Sequence, residues 1–163
     1  NPSLNVRTDG AVRQPLRVVL DPALDMRPDA RILALAGQTL IFTACPDGAS
    51  RSALEAAGAE VVGVDGDESR LDLGAVMRRL GEREINELHV ESGATLAGAL
   101  LEAELVDELV LYVAPLVMGD EARGLFHLPA LASMAERVEL DIVDVRAVGR
   151  DWRITAKVFV ASS

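Results

Sequence analysis

The chain has 163 residues, of which 26 are acidic and 16 are basic, so its formal net charge at pH 7 is −10. Such an acidic chain is a poor general binder of nucleic acids and of anionic membrane surfaces, because both repel it. The single cysteine excludes an internal disulfide, and the sequence has neither a signal-peptide pattern nor an apolar run of membrane length. We therefore expect a cytoplasmic protein with no nucleic-acid or membrane partner.

Strands and helices alternate through most of the sequence. Short β-rich runs bounded by Pro, Gly and Asp predict the strands, and apolar residues at helical spacing predict the helices. Gly37 and Gly58 are expected to end two of the helices, and Ser50 to cap one. The predicted elements are a strand at 15–21, a helix at 28–37, a strand at 39–44, a helix at 50–58, a strand at 59–65, a helix at 71–82, a strand at 85–91, a helix at 95–105 and a strand at 106–115.

The pattern changes near the end of the chain. Residues 136–161 alternate without a helical period and contain a turn signal at 149–151, which predicts a long antiparallel hairpin. The preceding alternation of strands and helices implies a parallel sheet that is covered on both faces. With no repeat, low-complexity tract or linker, the sequence predicts one mixed α/β domain over residues 1–163, whose mostly parallel sheet ends in the antiparallel hairpin.

A carboxylate, Glu91, stands where a predicted strand ends, directly before a helix start made of small residues. In this stretch, "SGATLAG", Ser92 or Thr95 is expected to cap the helix, and Gly93 and Ala94 leave the backbone amides open to close approach. The helix start also carries a partial positive charge, and ligands gather at the carboxyl ends of parallel strands. The stretch therefore predicts a site for phosphate or pyrophosphate. The alternative is that small residues only let the helix pack closely on its sheet.

The residues around this helix start leave further alternatives open. Glu91 would repel a phosphate, so it either faces a neutral part of the ligand or is a solvent-facing acid. Gly98 lies inside the helix, where glycine costs about 1 kcal/mol relative to alanine, so either close packing or close ligand approach should offset that cost. His89 shares a predicted strand face with Glu91 and is either its partner or an ordinary strand histidine. Tyr112 and Trp152 are predicted to pack on the sheet.

Three stretches match the motifs of a known family. "NPSLNVR" is similar to a D-D-P-x-L-T-V-R segment, and "RQPLRVVLD" is similar to R-Q-P-x-R-V-V-x-D-S. The long stretch "VESGATLAGALLEAELVDELVLYVAPLVMG" is similar to V-E-G-G-x-x-L-x-x-x-L-L-x-x-x-L-V-D-E-L followed by Y-x-A-P-x-x-x-G. Together they span most of the chain, which thereby resembles the reductase domain of the bifunctional riboflavin-biosynthesis deaminase/reductase.

The resemblance implies a three-layer dihydrofolate-reductase-like fold, with a homodimer favoured. It also implies NADPH-dependent reduction of 5-amino-6-(5-phosphoribosylamino)uracil to the ribitylamino compound. Leu4, Arg7 and Glu91 match positions that contact this phosphorylated pyrimidine, Arg7 being suited to its phosphate. The backbone positions implied to hold the NADPH phosphates are Gly93, Ala94, Thr95, Leu96, Ala97, Gly98 and Ala99. No metal site or catalytic side chain is indicated.

The sequence departs from the family pattern in two places. Pro22 replaces the serine that contacts the cofactor, and proline has neither a hydroxyl nor a backbone N–H, which weakens the expectation of NADPH over NADH. The sequence also starts inside the D-D-P segment, so we expect the family's first strand and helix to be missing, and no zinc-deaminase signature is found. The chain alone is therefore expected not to catalyse unless the missing part is supplied. The alternatives are a non-catalytic nucleotide-binding remnant and a dimerisation module that uses the terminal hairpin.

Overall fold

The computed structural model describes residues 4–6, 13–119, 121–130 and 133–159. These residues fall into two compact units, Asn1–Asn86 and Glu87–Ser163. Two compact units can still belong to one domain, so the single domain over residues 1–163 remains a prediction. Within the described ranges, no helix is long and apolar enough to cross a membrane.

The first unit is built on a parallel sheet whose middle strand is buried on both faces. The unit contains β1 (Arg17–Leu20), β2 (Thr39–Thr43), α1 (Ala49–Ala56), β3 (Ala59–Gly63) and α2 (Leu73–Gly81), and its strand order is β1-β2-β3. Every residue of β2 is buried. Ile41 packs in one apolar cluster with Leu54 of α1, whereas Leu40 and Phe42 pack in a second cluster with α2 residues. Because both faces are covered, the three central residues of β2 are all apolar, without the polar alternation of a half-exposed strand.

The side chain of a buried arginine binds the segment that precedes β2. Arg17, at the start of β1, is only 2% exposed. Its guanidinium donates to the carbonyl oxygens of Leu35, Ala36 and Gly37 at 3.1, 2.9 and 2.7 Å, and its Nε donates to the hydroxyl of Thr39 at 3.2 Å. The planar, multi-donor shape of arginine allows one side chain to bind several carbonyl groups in this way.

The predicted helix at 28–37 is wrong. The segment instead forms successive turns, with amides bonding three residues back, as from Leu33 to the Ala30 carbonyl at 2.9 Å. The chain then turns at Gly37, where φ is +106°. The carbonyls at the end of this segment bind the Arg17 side chain, and this tertiary contact stabilises a non-helical path despite the local helical spacing.

The helix ends follow capping chemistry, although not always with the predicted residues. The N-cap of α1 is Gly48, with no side-chain cap, so Ser50 lies inside the helix and its predicted capping role is wrong. The α2 helix is capped by Asp72, which accepts from the Ala75 amide at 2.9 Å. It ends at Gly81, with Glu82 as its C-cap, and Glu84 beyond it has a φ of +59°, which is unusual for a residue other than glycine. Gly58 ends α1 with φ +92°, as predicted.

The second unit is built on an antiparallel sheet. It contains α3 (Ala94–Glu102), β4 (Glu108–Val113), a 3₁₀ turn at Met134–Glu136, β5 (Glu139–Val148) and β6 (Asp151–Phe159), with strand order β4-β6-β5. The predicted terminal hairpin is confirmed, and Gly149 in its tight turn has φ +63°. A β-bulge lies between Ile142 and Asp144. The predicted strand at 85–91 is not formed, because this exposed segment pairs with no described strand.

The two faces of this antiparallel sheet differ in polarity. Residues directly opposite each other share a face, and the register therefore defines an apolar sheet face, which includes Val113, Leu140, Ile142, Val145 and Trp152. The other face carries charged side chains. Trp152 is 52% exposed and Tyr112 is 61% exposed. The prediction that these two aromatic residues are packed on the sheet is therefore wrong in the single chain.

Replacing Arg17 with methionine should destabilise the first unit, because three carbonyl groups and a hydroxyl lose their donor while the side-chain volume is nearly kept. We expect the free energy of unfolding to fall by about 2 kcal/mol or more, measured by urea denaturation. Arg13 is exposed, so Arg13→Met is the matched control and should change stability by less than about 0.5 kcal/mol. Equal effects of the two substitutions would show that the Arg17 contacts are dispensable.

Candidate cofactor and substrate site

The first turn of α3 offers unshielded backbone amides. Its N-cap is Gly93, with φ −80° and ψ 172°, and no side chain caps the helix. The predicted caps are therefore wrong, since neither Ser92 nor Thr95 occupies the N-cap position. A Cβ placed on Gly93 would have no other atom of the described residues within 4 Å, so the space beside this residue is open to them. Uncapped amides beside open space are suited to an anionic group.

A segment distant in sequence binds the same turn of α3. The His127 amide donates to the Ala94 carbonyl at 2.9 Å. The His127 Nδ1 lies 3.1 Å from the Thr95 hydroxyl oxygen. A Cβ on Gly98 would lie only 2.1 Å from the His127 carbonyl oxygen. Of the two explanations for Gly98 that the sequence leaves open, the structure therefore supports close packing, here against the His127 backbone.

The predicted cofactor residues form the N-cap and the first turns of α3, within the second unit. Gly98 is buried, whereas Gly93 and Thr95 are exposed and the other predicted positions are partly buried. Glu91 lies two residues before Gly93 and is also exposed. Its Oε1 lies 3.7 Å from the Nε2 of His89, so the structure brings together the pair that the sequence suggested. Both side chains are more than half exposed, which limits the strength of this contact.

The predicted substrate residue Leu4 belongs to the first unit, and Arg7 lies outside the described residues. Leu4 has a φ of +45°, which is uncommon for a residue other than glycine. The next residue, Asn5, has a buried Oδ1 without a hydrogen-bond partner among the described residues. Val6 is held by the Gln14 side chain through hydrogen bonds of 3.0 and 3.2 Å. The segment thus presents an unpaired acceptor that the sequence did not mark as a site residue.

Pro22, which replaces the serine of the family motif, has a structural role. Its carbonyl accepts from the Thr43 hydroxyl at 2.9 Å and from the Ala44 amide at 3.0 Å. Both bonds join the chain after β1 to the end of β2. They need only the carbonyl group, which proline retains, so the substitution preserves this connection.

A polar pocket of about 300 Å³ lies elsewhere in the first unit, between the end of β3 and α2. Its two arginines, Arg78 and Arg79, already face acidic partners at 3.6 and 3.1 Å. Nearby, a hydrogen bond from Arg83 holds the pKa of the Glu60 carboxyl below its ordinary value. Across the described ranges, no group of three or more His, Cys, Asp or Glu residues is arranged to hold a metal ion.

The chain has the fold of a dihydrofolate-reductase-like α/β protein, as its structural relatives show. A solved RibD structure from Acinetobacter baumannii matches with a TM-score of 0.81 and 25% identity, covering 98% of this chain and 43% of that one. The sequence profile of the RibD C-terminal domain matches residues 1–154. The chain belongs to the RibD C-terminal domain family.

Two proteins with related functions in their names are similar to this chain in sequence. The riboflavin biosynthesis protein RibD of Escherichia coli K12 is 39% identical over 140 residues, which cover 86% of this chain and 37% of that protein. A Buchnera aphidicola protein named 5-amino-6-(5-phosphoribosylamino)uracil reductase is 25% identical over 166 residues, covering 94% of this chain and 78% of that protein. The chain thus spans less than half the length of the RibD protein from E. coli.

Gly98→Ala should destabilise the second unit, because its Cβ would overlap the His127 carbonyl. Overpacking costs about 1–3 kcal/mol, which exceeds the gain in helix propensity of up to about 1 kcal/mol. The control is Gly81→Ala at the end of α2, where a Cβ meets no atom within 4 Å and should be neutral or stabilising. Urea denaturation of both variants measures the difference, and equal stability changes would contradict the close approach at Gly98.

Proposed function

We propose that this chain is the reductase part of a RibD-type protein and reduces 5-amino-6-(5-phosphoribosylamino)uracil. When bound, NADPH would supply a hydride to the imine carbon of the opened ribosylamino group, and a proton would be taken up at nitrogen, giving the ribitylamino compound and NADP⁺. The name of the Buchnera relative, of which the chain covers 78%, supports this reaction. Holding two reactants in contact can lower the activation barrier by about 7–11 kcal/mol. Residues that position the cofactor and the substrate can therefore supply most of the catalysis.

The first turn of α3 is the part of the chain that best fits the cofactor. Gly93 to Ala99 carry no charged side chain, so the diphosphate would be held by the uncapped amides and the partial positive charge of the helix start. The open space beside Gly93 admits a phosphate to these amides. This combination of uncapped amides and open space is the observation that carries the proposal.

Glu91 is proposed to bind the pyrimidine substrate rather than the cofactor. Its carboxylate would repel a phosphate, whereas it accepts hydrogen bonds from hydroxyl or ring N–H groups. Leu4 and Arg7 are also proposed to be substrate-binding residues, with the Arg7 guanidinium suited to a phosphate group. The unusual φ of Leu4, +45°, is consistent with a position shaped by binding.

Gly93→Val tests the cofactor site without disturbing the fold, because the residue has φ −80° and no neighbouring atom within 4 Å of a Cβ. The valine side chain should block the amides and weaken NADPH binding by about tenfold or more, measured by calorimetric titration. The full-length protein should lose reductase activity, followed by the absorbance of the reduced nicotinamide. Glu91→Gln should keep NADPH affinity but raise the KM for the pyrimidine by about ten- to a hundredfold.

Three results would contradict this assignment. NADPH that neither binds nor stabilises the wild-type protein would remove the cofactor site altogether. Binding without turnover in the full-length protein would favour a nucleotide-binding remnant. Unchanged affinity in Gly93→Val, with Gly81→Val as the control at another open glycine, would place the cofactor away from α3.

We also propose that the chain forms a homodimer through the apolar sheet face. Ile142, Val145 and Trp152 on this face are 58%, 52% and 52% exposed in the single chain. Contiguous exposed apolar residues of this kind favour association with another surface. A second copy of the same face satisfies the requirement of a two-fold dimer for a self-complementary patch.

Val145→Asp should prevent this association, because the carboxylate would have to be buried in an apolar interface. The wild-type chain is expected to have twice its monomer mass of 17.3 kDa in light scattering, and the variant to have the monomer mass. Arg146→Asp, one residue along β5 and on the opposite face, is the control and should remain dimeric. A wild-type protein of monomer mass would refute the dimer.

A further inference from the structure

We infer that His127 is a positioning residue for the dinucleotide, acting through Thr95. This inference rests on the proposed function, because it assumes that the first turn of α3 receives the cofactor. His127 is not among the residues that the family resemblance assigns to the site. It lies 32 positions after Thr95 in the sequence, and only the folded chain brings the two side chains together.

The contact between the two segments has a backbone part and a side-chain part. The backbone part comprises the 2.9 Å hydrogen bond from the His127 amide to the Ala94 carbonyl and the close approach of the His127 carbonyl to Gly98. The side-chain part is the 3.1 Å contact between Nδ1 and the Thr95 hydroxyl. The backbone part does not involve the imidazole, so the side-chain part can serve another purpose.

That purpose follows from the chemistry of the threonine hydroxyl. Thr95 does not cap its own helix, so its hydroxyl is not engaged by the α3 amides. When His127 carries its proton on Nδ1, it donates to Thr95 Oγ1, and the hydroxyl proton is then free to be donated to an anionic ligand. The imidazole thus orients the hydroxyl toward the space at the helix start. Without it, the hydroxyl rotates freely and binds the ligand less well.

The surrounding residues make this single hydroxyl important. The stretch from Gly93 to Ala99 contains no lysine, arginine or histidine, and the chain has a net charge of −10. A diphosphate therefore meets no cationic side chain within this stretch, where only the amides and the Thr95 hydroxyl can donate to it. An oriented hydroxyl donor contributes a larger fraction of the affinity here than it would beside a basic residue.

The test compares the affinity for NADPH of matched variants of the whole chain. His127→Leu removes the polar contact at similar size and should raise Kd by about three- to tenfold, while His127→Asn places a polar atom where Nδ1 lies and should restore most of the affinity. Thr95→Val should raise Kd by at least as much as His127→Leu, and the double variant should be no worse than Thr95→Val alone, because His127 acts only through this hydroxyl. The free energy of unfolding should change little, since the backbone contacts remain.

The outcomes separate this inference from the proposed function. If wild-type protein does not bind NADPH, the proposed function fails and the role of His127 fails with it. If wild-type binds and His127→Leu binds equally well, only the positioning role is refuted. Additive effects of the His127 and Thr95 changes, or a failure of asparagine to restore affinity, would also refute it, because either result means that His127 does not act through Thr95.

Discussion

The burial of β2 on both faces is the constraint on which the first unit depends. A strand covered on both sides can carry no charged side chain, and its edges must be paired by β1 and β3 to satisfy its peptide groups. Both ends of β2 are secured by polar contacts, with Arg17 near Thr39 and the Pro22 carbonyl bound by Thr43. These contacts place the polar groups at the two ends of the strand, so the core between them remains apolar.

The sequence patterns correctly predicted those elements that are stabilised by local or by hydrophobic interactions. The apolar centre of β2, the alternation of the terminal hairpin and the end of α1 at Gly58 are features of this kind. The segment at 28–37 has helical spacing, but its last carbonyls bind Arg17, a residue that precedes the segment by more than a helical turn. The extended segment at 85–91 has alternating residues without a paired neighbour. Each error arose because a distant partner decides the conformation.

The candidate site could be predicted only in part, again because contacts between distant residues decide its structure. Small residues at the start of α3 are visible in the sequence, and so is the internal glycine that requires an explanation. The partner of that glycine is the His127 backbone, which no spacing rule connects to it. The uncapped start of α3 was also hidden, because Ser92 and Thr95 are both good capping residues in isolation. Thr95 instead faces the imidazole ring.

The bulge in β5 has a consequence for how this sheet meets other molecules. Among the described strands, β5 pairs only with β6, so its outer row of amide and carbonyl groups is an edge that could template fibril growth. The irregularity between Ile142 and Asp144 interrupts the even spacing that an added strand would need. Acidic residues at 139, 141 and 144 add charge along the same edge. This sheet exposes many apolar side chains, and the bulge and the acidic residues protect it from edge-to-edge polymerisation.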